Sequence, residues 1–401
     1  MPQVNPEILL WARETAGLAP HQAIQRLGLR DARGVSALDR LAELESGETA
    51  PTRPQLLKMA KQYHRPLLTF YMTAPPRHGD RGQDFRTLPE GSSREEDALL
   101  DALARDVTAR QSMVRAVLED EAVLLPFVGS MEMADGVPAV VESIRKTLDV
   151  TSASFREQSS PEQAFALLRS KAELAGVFVL LIGNLGSYHT SIDVEVFRGF
   201  AISDNVAPFV IINDQDGRAA WSFTLLHELT HLWLGQTGVS ASRSEMAVEQ
   251  FCNDVASEFL LSEEGLAQFE SIGPISVGAI ECKVNDFATR TNLSNSMIVY
   301  KLYRIGRVEY DIWKQLSASF RNHWLQNRTE RRHRARDQAT SGPDYYVVRR
   351  HRVGSALIGL VHRAMVGGAL STSKAGKVLG VRATNVQKLL SVGDTTAGRA
   401  A

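Results

Sequence analysis

Residues 222–235 read SFTLLHELTHLWLG, and no other stretch of the 401-residue chain restricts the fold so tightly. His227 and His231 are four residues apart, so on an α-helix they project from one face, a turn apart. Two imidazoles so placed can share one metal ion. Glu228 then lies beside the ion rather than on it, where a carboxylate can take a proton from water. Leu225, Leu226, Leu229, Leu232 and Leu234 provide apolar surface to bury this helix, and Gly235 is an end signal. Buried without a metal, both imidazoles would need other polar partners.

A catalytic zinc site with one open position needs a third protein ligand. The next segment of helical periodicity, SEMAVEQFCNDVASEFLL at 244–261, offers Glu245, Glu249, Asp254 and Glu258. Glu249 follows His231 by 18 residues, enough for a helix end, a turn and an antiparallel return, and is the expected third ligand; Glu245 is the alternative. Asn253 is four residues beyond Glu249 and shares its face. Its amide could hydrogen-bond the second nitrogen of a ligand histidine and fix the tautomer. Cys252 is expected to pack as a small apolar side chain.

Around this motif the chain divides by pattern and punctuation. Residues 1–75 read as four or five short helices: one around Ile8, Leu9 and Ala12, which recur at helical spacing before Gly17, then 21–27, 37–46 and 53–63, with Pro51 and Pro54 before the last. Residues 76–94 are a Pro-, Gly- and Ser-rich linker. A long helix follows at 95–124, then helices at 139–147 and 161–175, strands at 177–182, 194–202 and 209–212, and the motif helix at 219–235. Mixed strands and helices over 95–262 indicate an α+β domain in a mostly α chain. Residues 263–326 are expected as a helical unit with helix-turn-helix rhythm at 286–306, Asn292 and Ser294 marking its turn. A flexible basic linker is expected at 327–343, and a basic helical segment at 344–401 with two short helices around Gly380.

Charge and composition bound the function. The net charge is −1, so the chain as a whole makes no electrostatic case for nucleic acid. Locally the balance differs: from 327 onward 14 Lys and Arg face four Asp and Glu, whereas residues 1–75 carry nine against seven. A DNA contact is therefore expected, if anywhere, through the basic C-terminal segment or the N-terminal unit. Two cysteines, Cys252 and Cys282, cannot build a disulfide framework. The opening MPQVNPEILLWARETAG has no basic stretch leading into an apolar run, and the longest apolar run, around GVFVLLIG, has strand length. A cytoplasmic location and no membrane contact are expected.

HELTH followed by E-x-x-C-N resembles the ImmA/IrrE metallopeptidases, relatives of the thermolysin-type zincins. The stretches DFRTL at 84–88, VFRGFAI at 196–202, FVIINDQDGRAAWSFTLLHELTHLWLG at 209–235 and VEQFCNDVASEFLLS at 248–262 extend the resemblance. LAELESGETAPTRPQLLKMAKQYHRPL at 41–67 is similar to the Cro/repressor-type helix-turn-helix family, with 37–46 as the groove-facing helix. The resemblance covers about 5–320. It implies a zincin-like core, one Zn²⁺ per chain on His227, His231 and Glu249, and Glu228 as catalytic base. It also implies an endopeptidase whose protein substrate is a transcriptional repressor or regulator. The other reading it allows is a non-enzymatic, DNA-binding or antitoxin-like regulator with a toxin-like partner. Where many relatives carry proline after the E-F-L-L-type run, this chain has Ser262. Peptide hydrolysis needs a second electrophile for the oxyanion, and Tyr188 and His189 in NLGSYHTS are the candidates. Arg198 is expected to pair with an acid such as Glu195, the alternative being a contact to substrate backbone.

Overall fold

The computed structural model describes residues 3–32, 34–76, 93–119, 124–236, 243–269, 276–337 and 344–391. DFRTL at 84–88 lies outside them, as does most of the 76–94 linker. The chain divides into two compact units, one of residues 1–108 with 184–197, the other of 109–183 with 198–401. The described part is mostly helical with one three-stranded sheet. Among the described residues no helix is long and apolar enough to cross a membrane.

The first unit opens with α1 (Pro6–Thr15), α2 (Pro20–Leu27), α3 (Ala37–Ser46) and α4 (Arg53–Gln62). Each start has a local cause. The Asn5, Ser36 and Thr52 side chains accept backbone N–H groups at α1, α3 and α4, and α1, α2 and α4 carry proline in the first turn. Ile8, Leu9, Ala12, Leu41, Leu44, Leu56, Met59 and Phe70 form the core. Arg13 of α1 forks onto Glu45 of α3 (Nε–Oε1 2.7 Å, Nη2–Oε2 3.0 Å) and donates to the Leu18 carbonyl at 2.9 Å. That acid of α3 is therefore taken up inside the unit. Residues 194–198, the first part of the strand expected at 194–202, instead follow a turn on Asp193, whose carboxylate accepts the Glu195 N–H at 3.1 Å while its carbonyl accepts from Val196 at 3.0 Å. A side chain that bonds its own backbone competes with a ladder in this way.

Helix α5 (Arg94–Leu118) contains the division between the units. In the second unit follow α6 (Val137–Leu148), α7 (Ser152–Arg156), α8 (Pro161–Leu174), β1 (Phe178–Leu181), β2 (Gly199–Ile202), β3 (Phe209–Ile212), α9 (Arg218–Trp233) and α10 (Arg243–Leu260). The sheet order is β1-β3-β2. β1 runs parallel to β3 with Phe178 opposite Phe209, and β2 antiparallel with Gly199 opposite Ile212. FVLL and FVII are buried at every position, as strands covered on both faces are. Helix α9 packs on the sheet, on α8 and on α10.

Then come α11 (Val277–Thr291), α12 (Asn295–Arg304), α13 (Tyr310–Asp337), α14 (Tyr345–Val353), α15 (Ser355–Val366), α16 (Thr372–Leu379) and α17 (Val386–Ser391). Asn292 takes the left-handed conformation (φ 61°) that ends α11, and the Ser294 side chain caps α12. Two boundaries drawn from sequence differ. The helices of 263–326 are not a separate body, because Val284, Phe287, Met297, Ile298, Leu302 and Leu316 share one core with Leu225, Leu229 and Phe259. Residues 327–337 of the expected basic linker continue α13. Arg, Glu and Ala are strong helix formers, and neither Gly nor Pro interrupts them. The C-terminal segment is likewise tied in: Glu173 of α8 accepts the Ser355 and Ala356 N–H groups at 3.0 and 3.1 Å, capping α15.

Candidate metal centre

Helix α9 is held by its apolar faces. Leu225, Leu226, Leu229, Leu232 and Trp233 are fully buried, Trp233 stacks on Phe127 with centroids 4.4 Å apart, and its Nε1 donates to Ser143 Oγ at 3.0 Å. With that rotation set, His227 and His231 turn toward α10, their Nε2 atoms 3.2 Å apart. Glu249 meets both: Oε2 is 3.1 Å from His227 Nε2, and Oε1 is 3.2 Å from His231 Nε2.

The rotation of α10 explains why Glu249 is the acid that arrives. At about 100° per residue, Asp254 and Glu258 lie about 140° and 180° around the helix from Glu249, facing α12 instead. Asp254 takes Arg304 in a fork (2.9 and 2.7 Å) and the Tyr300 hydroxyl at 3.0 Å, and Glu258 pairs with Lys301. The Arg145 guanidinium donates to the Phe259 carbonyl at 3.0 Å near the end of α10. The side chain of Glu245, the alternative third ligand, lies outside the described residues.

Asn253, on the Glu249 face, has Oδ1 3.0 Å from His227 Nδ1. With the proton on Nδ1 donated to that oxygen, Nε2 presents a lone pair to the centre. Burial raises the Glu249 carboxyl, but hydrogen bonds from His227 and His231 outweigh it and hold the group well below the usual carboxylate range. Glu228 is buried, 5 % exposed. Burial pushes its carboxyl up to about 8, with His231 pulling it down and Glu249 adding to the rise. Cys252 is buried against this face, and burial pushes its thiol well up, so it acts as packing.

These residues fit a metal by their donor chemistry. Two imidazole nitrogens and one carboxylate oxygen lie within 4.8 Å of one another, one ligand atom from each of His227, His231 and Glu249. Bonds of about 2.0–2.1 Å to a tetrahedral zinc set neighbouring ligand atoms about 3.3 Å apart. The observed 3.1–3.2 Å separations are close to that. Without an ion these contacts are hydrogen bonds from the imidazoles to Glu249; with one between them, each Nε2 would present its lone pair to the cation instead.

Gly199, at the start of β2, was not singled out from the sequence. A Cβ on it would fall 2.8 Å from Glu228 Oε1 and 2.6 Å from Thr224 Cγ2. A lone glycine in VFRGFAI gives no sign of this, because the close approach is to a helix residue 29 positions away. Arg198 pairs with Asp216 (3.2 Å) rather than with Glu195, since its carbonyl accepts the Asn213 N–H at 2.8 Å and brings the 213–216 turn alongside. Tyr188 and His189 fall in the first unit on the 3₁₀ turn Tyr188–Thr190; His189 is exposed, and the Tyr188 side chain lies outside the described residues.

No curated protein and no solved structure matches the chain. Residues 185–303, which include β2, β3, α9 and α10 and with them His227, Glu228, His231 and Glu249, match the family model described as Peptidase_M78, IrrE N-terminal-like domain.

Proposed function

We propose that this chain is a zinc-dependent endopeptidase whose substrate is a protein, with a transcriptional repressor or regulator as the substrate class. The observation that carries the reading is the meeting of His227, His231 and Glu249 at one point, with the buried Glu228 carboxylate on the same helix. The match of residues 185–303 to a peptidase family model supports the same chemistry. The substrate class rests on the resemblance to ImmA/IrrE proteins and to a Cro-type N-terminal unit.

In this reading His227, His231 and Glu249 hold the ion and Asn253 orients the His227 ring. When bound, zinc supplies a Lewis acid that polarises a scissile carbonyl and makes water more acidic. A cation beside it would favour the ionised form of Glu228 over the protonated one that burial favours, so that Glu228 would accept the proton from the attacking water and pass it to the departing amine nitrogen. The side-chain-free edge at Gly199 leaves the Glu228 carboxylate its place.

The test is metal content together with cleavage, read by mass spectrometry, of the protein products of adjacent genes. Glu228→Gln should keep one metal per chain and lose cleavage by about 100-fold or more, since an amide cannot accept the proton. His231→Ala should lose both. Undiminished cleavage by the Glu228→Gln protein would remove the mechanism, and no cleavage by the metal-loaded parent would make a non-enzymatic regulator the better reading.

A further inference from the structure

Near the C-terminus two short helices meet at a glycine turn. Helix α16 ends at Gly380 in the left-handed conformation (φ 62°), and the Val381 N–H returns to the Gly376 carbonyl at 2.8 Å. A 3₁₀ turn, Ala383–Asn385, then leads into α17, so residues 383–391 form one helical stretch. Ala375, Val378, Leu379, Val386 and Leu389 are buried between and beneath the two. Gly376 is required by their approach: a Cβ there would lie 2.8 Å from the Val381 carbonyl oxygen and 3.1 Å from the Ala383 nitrogen. Two short helices locked by such a turn have the build of a helix-turn-helix.

Helix α14 braces both helices by their carbonyl ends. Arg349 donates to the Leu379 carbonyl (3.0 and 2.6 Å), and Arg350 Nη1 to those of Leu389 and Leu390 (3.0 and 3.2 Å). Arg352 pairs with Asp214 at 2.6 Å. Three of the eight Lys and Arg between 345 and 391 are thus engaged in structure. Arg363, Lys374, Lys377, Arg382 and Lys388 are exposed and have no carboxylate partner among the described residues. Residues 345–391 contain no Asp or Glu at all. An ordinary solvated surface mixes both signs; this one is cationic throughout.

The exposed face of the second helical stretch carries Thr384, Gln387, Lys388 and Ser391, spaced i, i+3, i+4 and i+7. All four can hydrogen-bond base edges, and none is apolar or acidic. Lys374, Lys377 and Arg382 lie on the first helix and the turn, where a helix-turn-helix crosses the phosphate backbone.

We propose that α16 and α17 form a double-stranded DNA-binding module that sets residues 383–391 into the major groove. The lysines and Arg382 contact phosphates, and Thr384, Gln387 and Ser391 face the bases. This module is independent of the metal centre.

The test uses the full-length protein and a 30-base-pair duplex pool of random sequence, followed by fluorescence anisotropy at 50 and 200 mM salt. The combined Lys374→Gln, Lys377→Gln, Arg382→Gln and Lys388→Gln protein should bind at least about tenfold more weakly at 50 mM. Its slope of log affinity on log salt should fall by about 0.9 for each phosphate contact removed. The Lys374→Gln, Lys377→Gln pair alone should lose about half that slope, and both proteins should melt at the parent temperature. Any contribution from the first unit leaves residual binding, so the difference from the parent is the quantity read. Glu228→Gln should bind as the parent does. Unchanged affinity and slope in the fourfold variant, or no binding by the parent at 50 mM, overturns the proposal in favour of protein docking on this face.

Discussion

The Glu228 carboxylate rests against the backbone of Gly199: a methyl group there would lie 2.8 Å from Oε1. Gly199→Ala should therefore push the carboxylate out of place without touching the three converging side chains. We expect cleavage to fall by about 100-fold, the cost of misplacing a reacting group by about 1 Å. Metal content should not change. A Gly199→Ala protein that cleaves at the parent rate would show that Glu228 does not need this position.

Asn253 tests how the site is oriented. Its Oδ1 faces His227 Nδ1 at 3.0 Å. Asn253→Leu should weaken metal affinity by about 10- to 100-fold, as loss of a histidine's outer partner does. Asn253→Asp keeps an acceptor and should stay near the parent. Competition with a chromophoric chelator measures both, and equal affinity for the leucine variant would dismiss the role.

His64 should make the first unit acid-sensitive. Burial, then the nearby Arg105, Arg26 and Arg65, lower its imidazole from 6.5 to about 4, against a smaller upward pull from Glu95. Above 6.5 it is neutral whether folded or unfolded. Between about 6.5 and 4 the unfolded chain takes up a proton that the folded unit refuses, so stability falls as pH falls through that window. His64→Asn removes the titration and tolerates the left-handed φ of 51°. Amide exchange of α1–α4 from pH 7 to 4 should show a shallower loss in the variant; parallel curves would sink the idea.

The Arg13–Glu45 fork joins α1 to α3 with both side chains near one-tenth exposed. Arg13→Met leaves the Glu45 charge in place without its partner, and should cost the unit about 3 kcal/mol. Denaturant-dependent amide exchange of the two helices checks this. A loss below about 1 kcal/mol would mean that Glu45 is served by water.

Much of the local structure was legible in order along the chain. Ser36, Thr52, Ser160 and Ser294 start helices by side-chain bonds to residues three positions on, a cause that lies wholly within one turn of chain. The four-residue spacing of His227 and His231 belongs to the same class, because one helix turn places both on one face. The 194–198 stretch failed as a strand because Asp193 bonds its own backbone, a competition that alternation of residue type does not reveal.

Convergence across the chain is a different matter. That Glu249 meets the histidines while Asp254 and Glu258 turn to Arg304 and Lys301 depends on how α10 is rotated between α9 and α12. That Gly199 makes room for Glu228, and that Asp216 takes Arg198, depends on which strand lies beside which turn. Residues 263–326 join the core of α9 and α10 for the same reason: apolar faces bury against whatever surface packing brings to them. Sequence by itself determined the helices, their caps and the paired histidines, since those follow from neighbours within about one turn. Only the tertiary structure decided which acid, which glycine and which boundary, because those follow from contacts between segments whose separation along the chain carries no information about their separation in space.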